Sequence, residues 1–420
     1  MHSVSPVLLS DARILAAYLI FFGSYFVFAL GKFPGMKIDR PGAAIIGAVL
    51  MFAFRIVGPR DAVASLDFGT LVLLFSMMLI VANLHLAGVF DWLTEWIIER
   101  LKPHHLLPTV IFTSGLLSAF LVNDIICLVM TPFVLRITRR IGLAPMPYLL
   151  AVATASNIGS VATITGNPQN ILIGSVSRIS YLDFIAHLGP VAVLGLFVDW
   201  ALIHRMFLRN GLDRVEVREA IASPGFAHGS LGKKPIVVLA LVLAGFFAGA
   251  PAAMVAAVGA ALLLITRTVE PRKVYDEIDW GLLVFFLGLF IIVGGAERAG
   301  LTETLLRPMT MWNLHRIPSF VAVTAILSNL VSNVPAVMLL KSLVPGFPNP
   351  HTGWLTLAMA STLAGNLTIT GSVANIIVVE RARAEGVHVG FREYFRLGAP
   401  VTVATLVLGS AWLWLVHLGG

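Results

Sequence analysis

Charge is scarce in this chain. Asp, Glu, Lys and Arg make up 12% of its 420 residues, about half the share found in an ordinary soluble domain. Hydrophobic residues account for 58%, and the mean hydropathy is +0.90. No polar stretch is long enough to fold as a separate soluble domain, which excludes a soluble enzyme and points to one integrated polytopic membrane domain. The single cysteine, Cys127, excludes a disulfide framework and any cysteine-rich metal site. Neither the metalloprotease His-Glu-x-x-His nor the intramembrane-protease Gly-x-Gly-Asp is present, and Tyr275-Asp276 falls in an expected loop. Without a phosphate-binding Gly-x-x-x-x-Gly-Lys, ATP drive would need a partner subunit. His104-His105 has no acidic or cysteine partner at metal-ligand spacing, so neither a metal nor a cofactor is expected. The stretch from Met1 to Asp11 lacks the basic region and cleavage site of a signal peptide, so the first apolar segment is expected to be retained.

Apolar windows long enough to cross a bilayer, roughly 17 to 25 residues, fall near 12–31, 41–57, 69–89, 187–207, 234–250, 251–267, 280–297 and 396–418. Four further apolar regions are interrupted. Asn123-Asp124 breaks 107–138, Ser332-Asn333-Val334-Pro335 breaks 317–345, Thr165-Gly166-Asn167-Pro168 breaks 148–176, and Thr370-Gly371-Ser372 breaks 353–380. Non-helical backbone at membrane depth survives only where protein or a water-filled cavity satisfies its polar groups, so these breaks are the expected site.

The features repeat at an offset of about 205 to 212 residues. Asp67-Phe68-Gly69 is echoed by Asp279-Trp280-Gly281, Leu117-Ser118 through Asn123 by Leu327-Ser328 through Asn333, and Thr163-Ile164-Thr165-Gly166 by Thr368-Ile369-Thr370-Gly371. The expectation is an all-α polytopic membrane protein built from two repeats, 1–207 and 234–420, joined by a cytoplasmic linker at 208–233. Each repeat holds five transmembrane spans, one of them broken, a re-entrant hairpin and a short interfacial helix (about 91–101 and 302–314). Five crossings is an odd number, so the second repeat enters the membrane inverted, the plan of secondary transporters. Most of the 29 Lys and Arg residues, among them Lys37, Arg40, Arg139, Arg140, Arg205, Lys233 and Lys234, fall on one side. The positive-inside rule makes that side cytoplasmic and puts the N-terminus outside, in the cell membrane. It also accounts for the net charge of +7 without a nucleic-acid partner.

Broken helices present N-termini, which suit anions and polar oxygens, and free carbonyls, which suit cations and hydroxyl donors. The candidate solute- or ion-binding residues are Asn123, Asp124, Ser156, Asn157, Thr165, Gly166, Asn167 and Asn170 in the first repeat. In the second they are Ser332, Asn333, Gly365, Asn366, Thr370, Gly371, Ser372 and Asn375. Each Asn or Ser has an alternative duty, bonding a neighbouring helix or capping a half-helix. Asp124 stands out because Val334 holds the matching position, and an intramembrane acid is by default a proton or ion site. It is the expected proton carrier. Asp199, Glu297 and Glu380 are weaker candidates, the last two expected to meet interfacial water or Arg298 and Arg381. His85 and Cys127 read as packing.

Leu121-Val122-Asn123-Asp124-Ile125, Ala155-Ser156-Asn157-Ile158-Gly159, Gly166-Asn167-Pro168-Gln169-Asn170, Ser332-Asn333-Val334-Pro335 and Ala364-Gly365-Asn366-Leu367-Thr368 resemble the ion transporter superfamily over essentially the whole chain. They are most similar to its ArsB/NhaD-type permeases, the group of arsenite efflux proteins and plant silicic acid efflux transporters, with a citrate-transporter-like domain. The resemblance implies an elevator-type transporter, commonly a homodimer, in which scaffold spans hold hairpins and broken spans that move as one transport domain. Sodium-coupled carboxylate symporters of the superfamily carry Ser-Asn-Thr at their hairpin tips. Val122-Asn123-Asp124 and Ser332-Asn333-Val334 depart from that pattern, which favours protons over sodium as coupling ion. The expected function is therefore proton-coupled export of a small inorganic oxyacid such as arsenite or silicic acid. Carboxylate or inorganic anion transport, or sodium/proton antiport, is the alternative.

Overall fold

The computed structural model describes residues 11–31, 35–90, 92–93, 105–208, 232–265, 269–301, 304 and 313–419. The linker at 208–233 and the interfacial helices expected near 91–101 and 302–314 lie almost wholly outside them. Among the described residues the chain is helical and has no β-strand. The helices are α1 (Asp11–Leu30), α2 (Arg40–Ala53), α3 (Pro59–Ser65), α4 (Phe68–Leu86), α5 (Leu106–Phe120), α6 (Asn123–Ile141), α7 (Met146–Ser160), α8 (Pro168–Ser177) and α9 (Tyr181–Ile203). They continue with α10 (Lys233–Phe247), α11 (Ala252–Leu264), α12 (Pro271–Asp276), α13 (Trp280–Arg298), α14 (Ile317–Val331), α15 (Asn333–Leu340), α16 (Pro350–Ala364), α17 (Val373–Ala384) and α18 (Phe391–Gly419). Five stretches, Asp11–Leu30, Phe68–Leu86, Tyr181–Phe207, Trp280–Arg298 and Phe391–Val416, are long and apolar enough to cross a membrane. Tyr275 and Asp276, expected in a loop, end the short helix α12.

The helix starts are written in short polar side chains. Asp67 Oδ1 accepts from Thr70 N at 2.7 Å, and Asp279 Oδ1 accepts from Leu282 N at 2.9 Å, so α4 and α13 begin on the same cap. Asn167 caps α8 through Asn170 N at 2.9 Å, and Asn349 caps α16 through Thr352 N at 3.0 Å. Such caps satisfy amides that the first helical turn leaves orphaned.

Two groups of helices pack side by side. In the first, α2 runs along α13, with Pro41 opposite Gly281, Ala44 opposite Gly288 and Met51 opposite Gly295, while α11 lies against α4. In the second group α5 packs on α7, α14 on α16, and α9 on α18. The approach of α5 to α7 is close enough to demand glycine: a Cβ on Gly159 would sit 2.0 Å from Gly115 O. Joins between the groups are fewer and of both kinds: Tyr25 Oη donates to Pro335 O at 3.1 Å and Ser175 Oγ to Asp67 Oδ1 at 2.7 Å, while the Tyr181 ring packs against Phe246 and Phe247 of α10, which lies on α11. Glu297, expected to meet interfacial water or Arg298, is exposed and accepts from Ser342 Oγ at 3.1 Å, while Arg298 pairs with Asp61 of α3 at 2.7 Å. Adjacent helical residues point apart, which leaves a side chain from a neighbouring element better placed.

Candidate functional site

The four interruptions converge. Hairpin α5–α6 turns at Leu121-Val122, hairpin α14–α15 turns at Ser332, α7 gives way to α8 across 161–167, and α16 gives way to α17 across 365–372. Each of the two broken spans is held by an asparagine that reaches back to its own freed carbonyls. Asn170 Nδ2 donates to Ser160 O and Thr163 O, both at 3.0 Å. Asn375 Nδ2 donates to Gly365 O at 2.7 Å and Thr368 O at 3.0 Å. Irregular backbone at this depth is thereby satisfied from within the protein. Gly166 completes the first break, because a Cβ there would meet Ser160 O at 2.2 Å.

Asn157 is the hub. Its Oδ1 accepts from Asn123 Nδ2 at 2.9 Å and from Ser372 Oγ at 3.0 Å, and its Nδ2 donates to Asn366 Oδ1 at 2.9 Å and Asn375 Oδ1 at 3.0 Å. An amide side chain has two donors and two lone pairs on its oxygen, so Asn157 is saturated and knits three breaks together. Asn123 is anchored by its backbone N–H to Gly166 O at 2.9 Å, yet its buried Oδ1 has no partner among the described residues. Ser328 has one hydroxyl hydrogen, directed to Ser361 O at 2.9 Å. The Asn333 amide therefore donates to Ser328 Oγ at 2.7 Å and Gly371 O at 3.1 Å and accepts from Gln169 Nε2 at 3.2 Å.

A cavity of about 570 Å³ opens at the seam between the two helix groups. That volume falls within the range of small-solute sites. From the breaks it is lined by Asn123, Asp124, Gln169, Ser332, Asn333, Thr370 and Ser372, and from the ends of α2 and α13 by Asp39, Arg40 and Asp279. Asp124 lies within electrostatic reach of Arg40 and Asp279. Six of the residues singled out from sequence thus share one wall: Asn123, Asp124, Ser332, Asn333, Thr370 and Ser372. The others stand behind it. Asn157, Asn366 and Asn375 form the hub, Asn167 and Asn170 bind Ser160, and Gly166, Gly365 and Gly371 shape the breaks. Ser156 bonds Cys127 Sγ at 2.9 Å, and Thr165 turns away to Tyr181 Oη at 3.0 Å.

Gln169, Asp39, Arg40 and Asp279 were not legible as site residues. Asp39 and Asp279 look like ordinary helix caps, which they also are, and Arg40 counts as one more basic loop residue. Gln169 sits within the Gly166–Asn170 motif, where only its neighbours stood out. His85, expected as packing, is partly exposed and bonds Glu277 at 3.1 Å.

Apolar helices wrapped around a cavity at their breaks, its largely apolar wall set with a few amides, hydroxyls and carboxylates, define the class: this is a membrane transporter. A model of the family described as citrate transporter (CitMHS) matches residues 25–364, and the chain belongs to that family. It is 31% identical to an uncharacterized transporter of Mycobacterium tuberculosis (strain CDC 1551 / Oshkosh), over 90% of this chain and 94% of the relative. It is 30% identical to the silicon efflux transporter LSI3 of Oryza sativa subsp. japonica, over 92% of this chain and 95% of that protein. Among solved structures, the Alcanivorax borkumensis YdaH transporter superimposes with a TM-score of 0.58 at 13% identity, covering 97% of this chain and 98% of its own. That last likeness speaks for the fold alone.

Proposed function

We propose that the chain exports a small inorganic oxyacid, such as silicic acid or arsenite, in exchange for protons. The observation that carries this reading is the composition of the cavity wall. Amides and hydroxyls of Asn123, Asn333, Ser332, Thr370 and Ser372 offer both donors and acceptors, as a neutral polyhydroxy solute requires. The charged groups are three carboxylates, Asp39, Asp124 and Asp279, against the single guanidinium of Arg40. That balance opposes a polyanion at short range. In this reading Asp124 is the proton carrier, at the one hairpin tip that bears an acid. The rice relative, a silicon efflux transporter, supports the same solute class.

The transport cycle we infer is an elevator one in an inverted-repeat dimer. The first helix group is the scaffold, and the second, with both hairpins, is the moving domain. Its support is the recurrence of the same elements in the same order along the chain, α1–α9 and then α10–α18, and the denser packing of helices within each group than across the seam. The cavity reaches the ends of α1, α2 and α13, which the basic-residue bias assigns to the cytoplasm, so this is the inward-facing state.

Arg40 favours a second reading, carboxylate transport, because it supplies the cation that the hairpin tips lack. The family's description points the same way. Proteoliposomes with a trapped pH dye, challenged in turn with arsenite, silicic acid, sodium and citrate, separate the readings. The expected result is proton movement with the metalloid or silicic acid, reduced at least about tenfold in Asp124→Asn and little changed in Arg40→Gln. A response to citrate alone, lost in Arg40→Gln and kept in Asp124→Asn, would overturn the oxyacid reading.

A further inference from the structure

Among the described residues one Asp, Glu, Lys, Arg or His is fully buried, and it is Asp199 of α9, at 0% exposure. It lies outside the cavity wall, inside the second helix group. Its Oδ2 is 2.9 Å from Thr154 Oγ1 on α7, and its Oδ1 has no partner. Thr154 Oγ1 is also 2.9 Å from Leu150 O, the ordinary back-bond of a helical threonine.

A hydroxyl has one hydrogen, and here two acceptors claim it. If Thr154 donates to Leu150 O, an ionised Asp199 is left with no donor at all. If it donates to Asp199, the Leu150 bond is lost and Oδ1 is still bare. Both 2.9 Å contacts are hydrogen bonds only when Asp199 carries a proton on Oδ2 and donates it to Thr154, which then donates to Leu150 O. Oδ1 is then a carbonyl oxygen, far cheaper to leave unpaired than half of a buried carboxylate.

The surroundings suit a group that changes charge. Tyr394 of α18 is buried, and its hydroxyl, beside Asn375, lies within electrostatic reach of Asp199 and Cys127. It is a donor held in reserve for the ionised acid. Of the other charged groups of the packed elements, Arg392, Glu393 and Arg396 on α18 and His204 and Arg205 beyond α9 are exposed, while Asp183 and His187, half-buried in the first two turns of α9, pair with each other at 3.1 Å and, through Asp183, with His351 at 2.6 Å. Helices α5 and α7 carry no charged residue, and His351 on α16 and Lys233 and Lys234 on α10 sit in first turns. From Asp199 the first hairpin tip is reached through hydrogen bonds on either side of Thr154, whose hydroxyl meets Asp199 and whose backbone carbonyl meets Asn366. Asn366 Nδ2 donates to Thr154 O at 3.3 Å, Asn157 Nδ2 donates to Asn366 Oδ1 at 2.9 Å, and Asn123 Nδ2 donates to Asn157 Oδ1 at 2.9 Å.

We propose that Asp199 is a second proton-binding site, buried behind the asparagine cluster and read by it through Thr154 and Asn366. The proton comes from water and returns to water, and no other covalent bond changes. When solute disturbs the chain at Asn123 and Asn157, the proton leaves and the Tyr394 hydroxyl turns to the carboxylate. As a coupling device this rests on the proton-coupled reading; the presence of the proton does not.

The test is infrared difference spectroscopy of the full chain in liposomes across a pH jump, with proton-to-solute ratios measured on the same preparations using silicic acid and arsenite. A carbonyl band of a protonated carboxylic acid is expected in Asp124→Asn, where the band of the proton carrier itself is removed, and is expected to vanish when Asp199→Asn is added. Asn at this position can still donate to Thr154, so solute affinity should stay within twofold while the ratio falls by one proton. Thr154→Val, which removes the hydroxyl, should shift the band to that of a carbonyl without its bond. In the Asp124→Asn background, a band that survives Asp199→Asn, or one unmoved by Thr154→Val, overturns the site. A band lost in Asp199→Asn with an unchanged ratio overturns its coupling role. A band that behaves as expected in a chain that moves no protons with any solute upholds the site and defeats the proton-coupled reading instead.

Discussion

The two hairpin tips wall the same cavity and divide its burdens differently. At the first tip, Leu121 and Val122 have negative φ and Asn123 N is bonded to Gly166 O. The outgoing helix α6 is 19 residues long and starts with an acid in its first turn. At the second, Ser332 stands at φ 79° and ψ 159°, a region that belongs almost entirely to glycine, and the outgoing helix α15 has eight residues and no acid. One tip carries charge on relaxed backbone, and the other carries strain on uncharged side chains. The matching threonines differ as well: Thr165 is buried against Tyr181, whereas Thr370 is exposed at the cavity. Related motifs thus present an open face on one side and a closed one on the other.

The largest blow to this arrangement should come from Asn157→Ala. It strips partners from Asn123, Ser372, Asn366 and Asn375 at once, and each buried group left unpaired costs about 1 to 3 kcal/mol. Thermal unfolding in detergent should show a loss of at least about 3 kcal/mol, and both tips should lose order together. Gly166→Ala comes next, with about 2 kcal/mol lost to overpacking, since its Cβ would stand 2.2 Å from Ser160 O. Gly371→Ala should cost less, because the nearest backbone atom, Gly365 O, is 2.8 Å away. Equal losses in the two glycine variants would dissolve the difference between the breaks. The smallest effect on stability should be Ser332→Gly, a gain of about 1 kcal/mol in thermal unfolding from relieved backbone strain, while Val122→Gly at the relaxed tip should gain nothing.

Much of this was legible in sequence because the bilayer imposes strong rules. The expected window 12–31 becomes α1 at Asp11–Leu30, and the window 280–297 becomes α13 at Trp280–Arg298, since apolar length decides both. The breaks lie within a few residues of the polar clusters that marked them, because only such side chains can satisfy freed carbonyls. Asn157 as a hub was not legible: its four bonds come from Asn123, Ser372, Asn366 and Asn375, most of them more than 200 residues away. Nor was the cavity's far wall, since nothing distinguishes Asp39 or Asp279 as caps that also face a solute. Asp199 appeared only as a weak candidate, because its meaning lies in how one hydroxyl hydrogen is shared between α7 and α9.

The lengthwise pairing of α2 with α13 has a consequence for how the chain is made. The face of α2 that ends against Gly281, Gly288 and Gly295 is synthesised well before its partner exists. At about 5 to 20 residues per second, the wait is roughly 10 to 50 s. Through that interval the nascent first half holds an unmatched surface within the membrane, and α4 waits likewise for α11. Assembly is thus post-insertional across the whole length of the chain, and a ribosome that stops in the linker leaves a product with two helices lacking their mates.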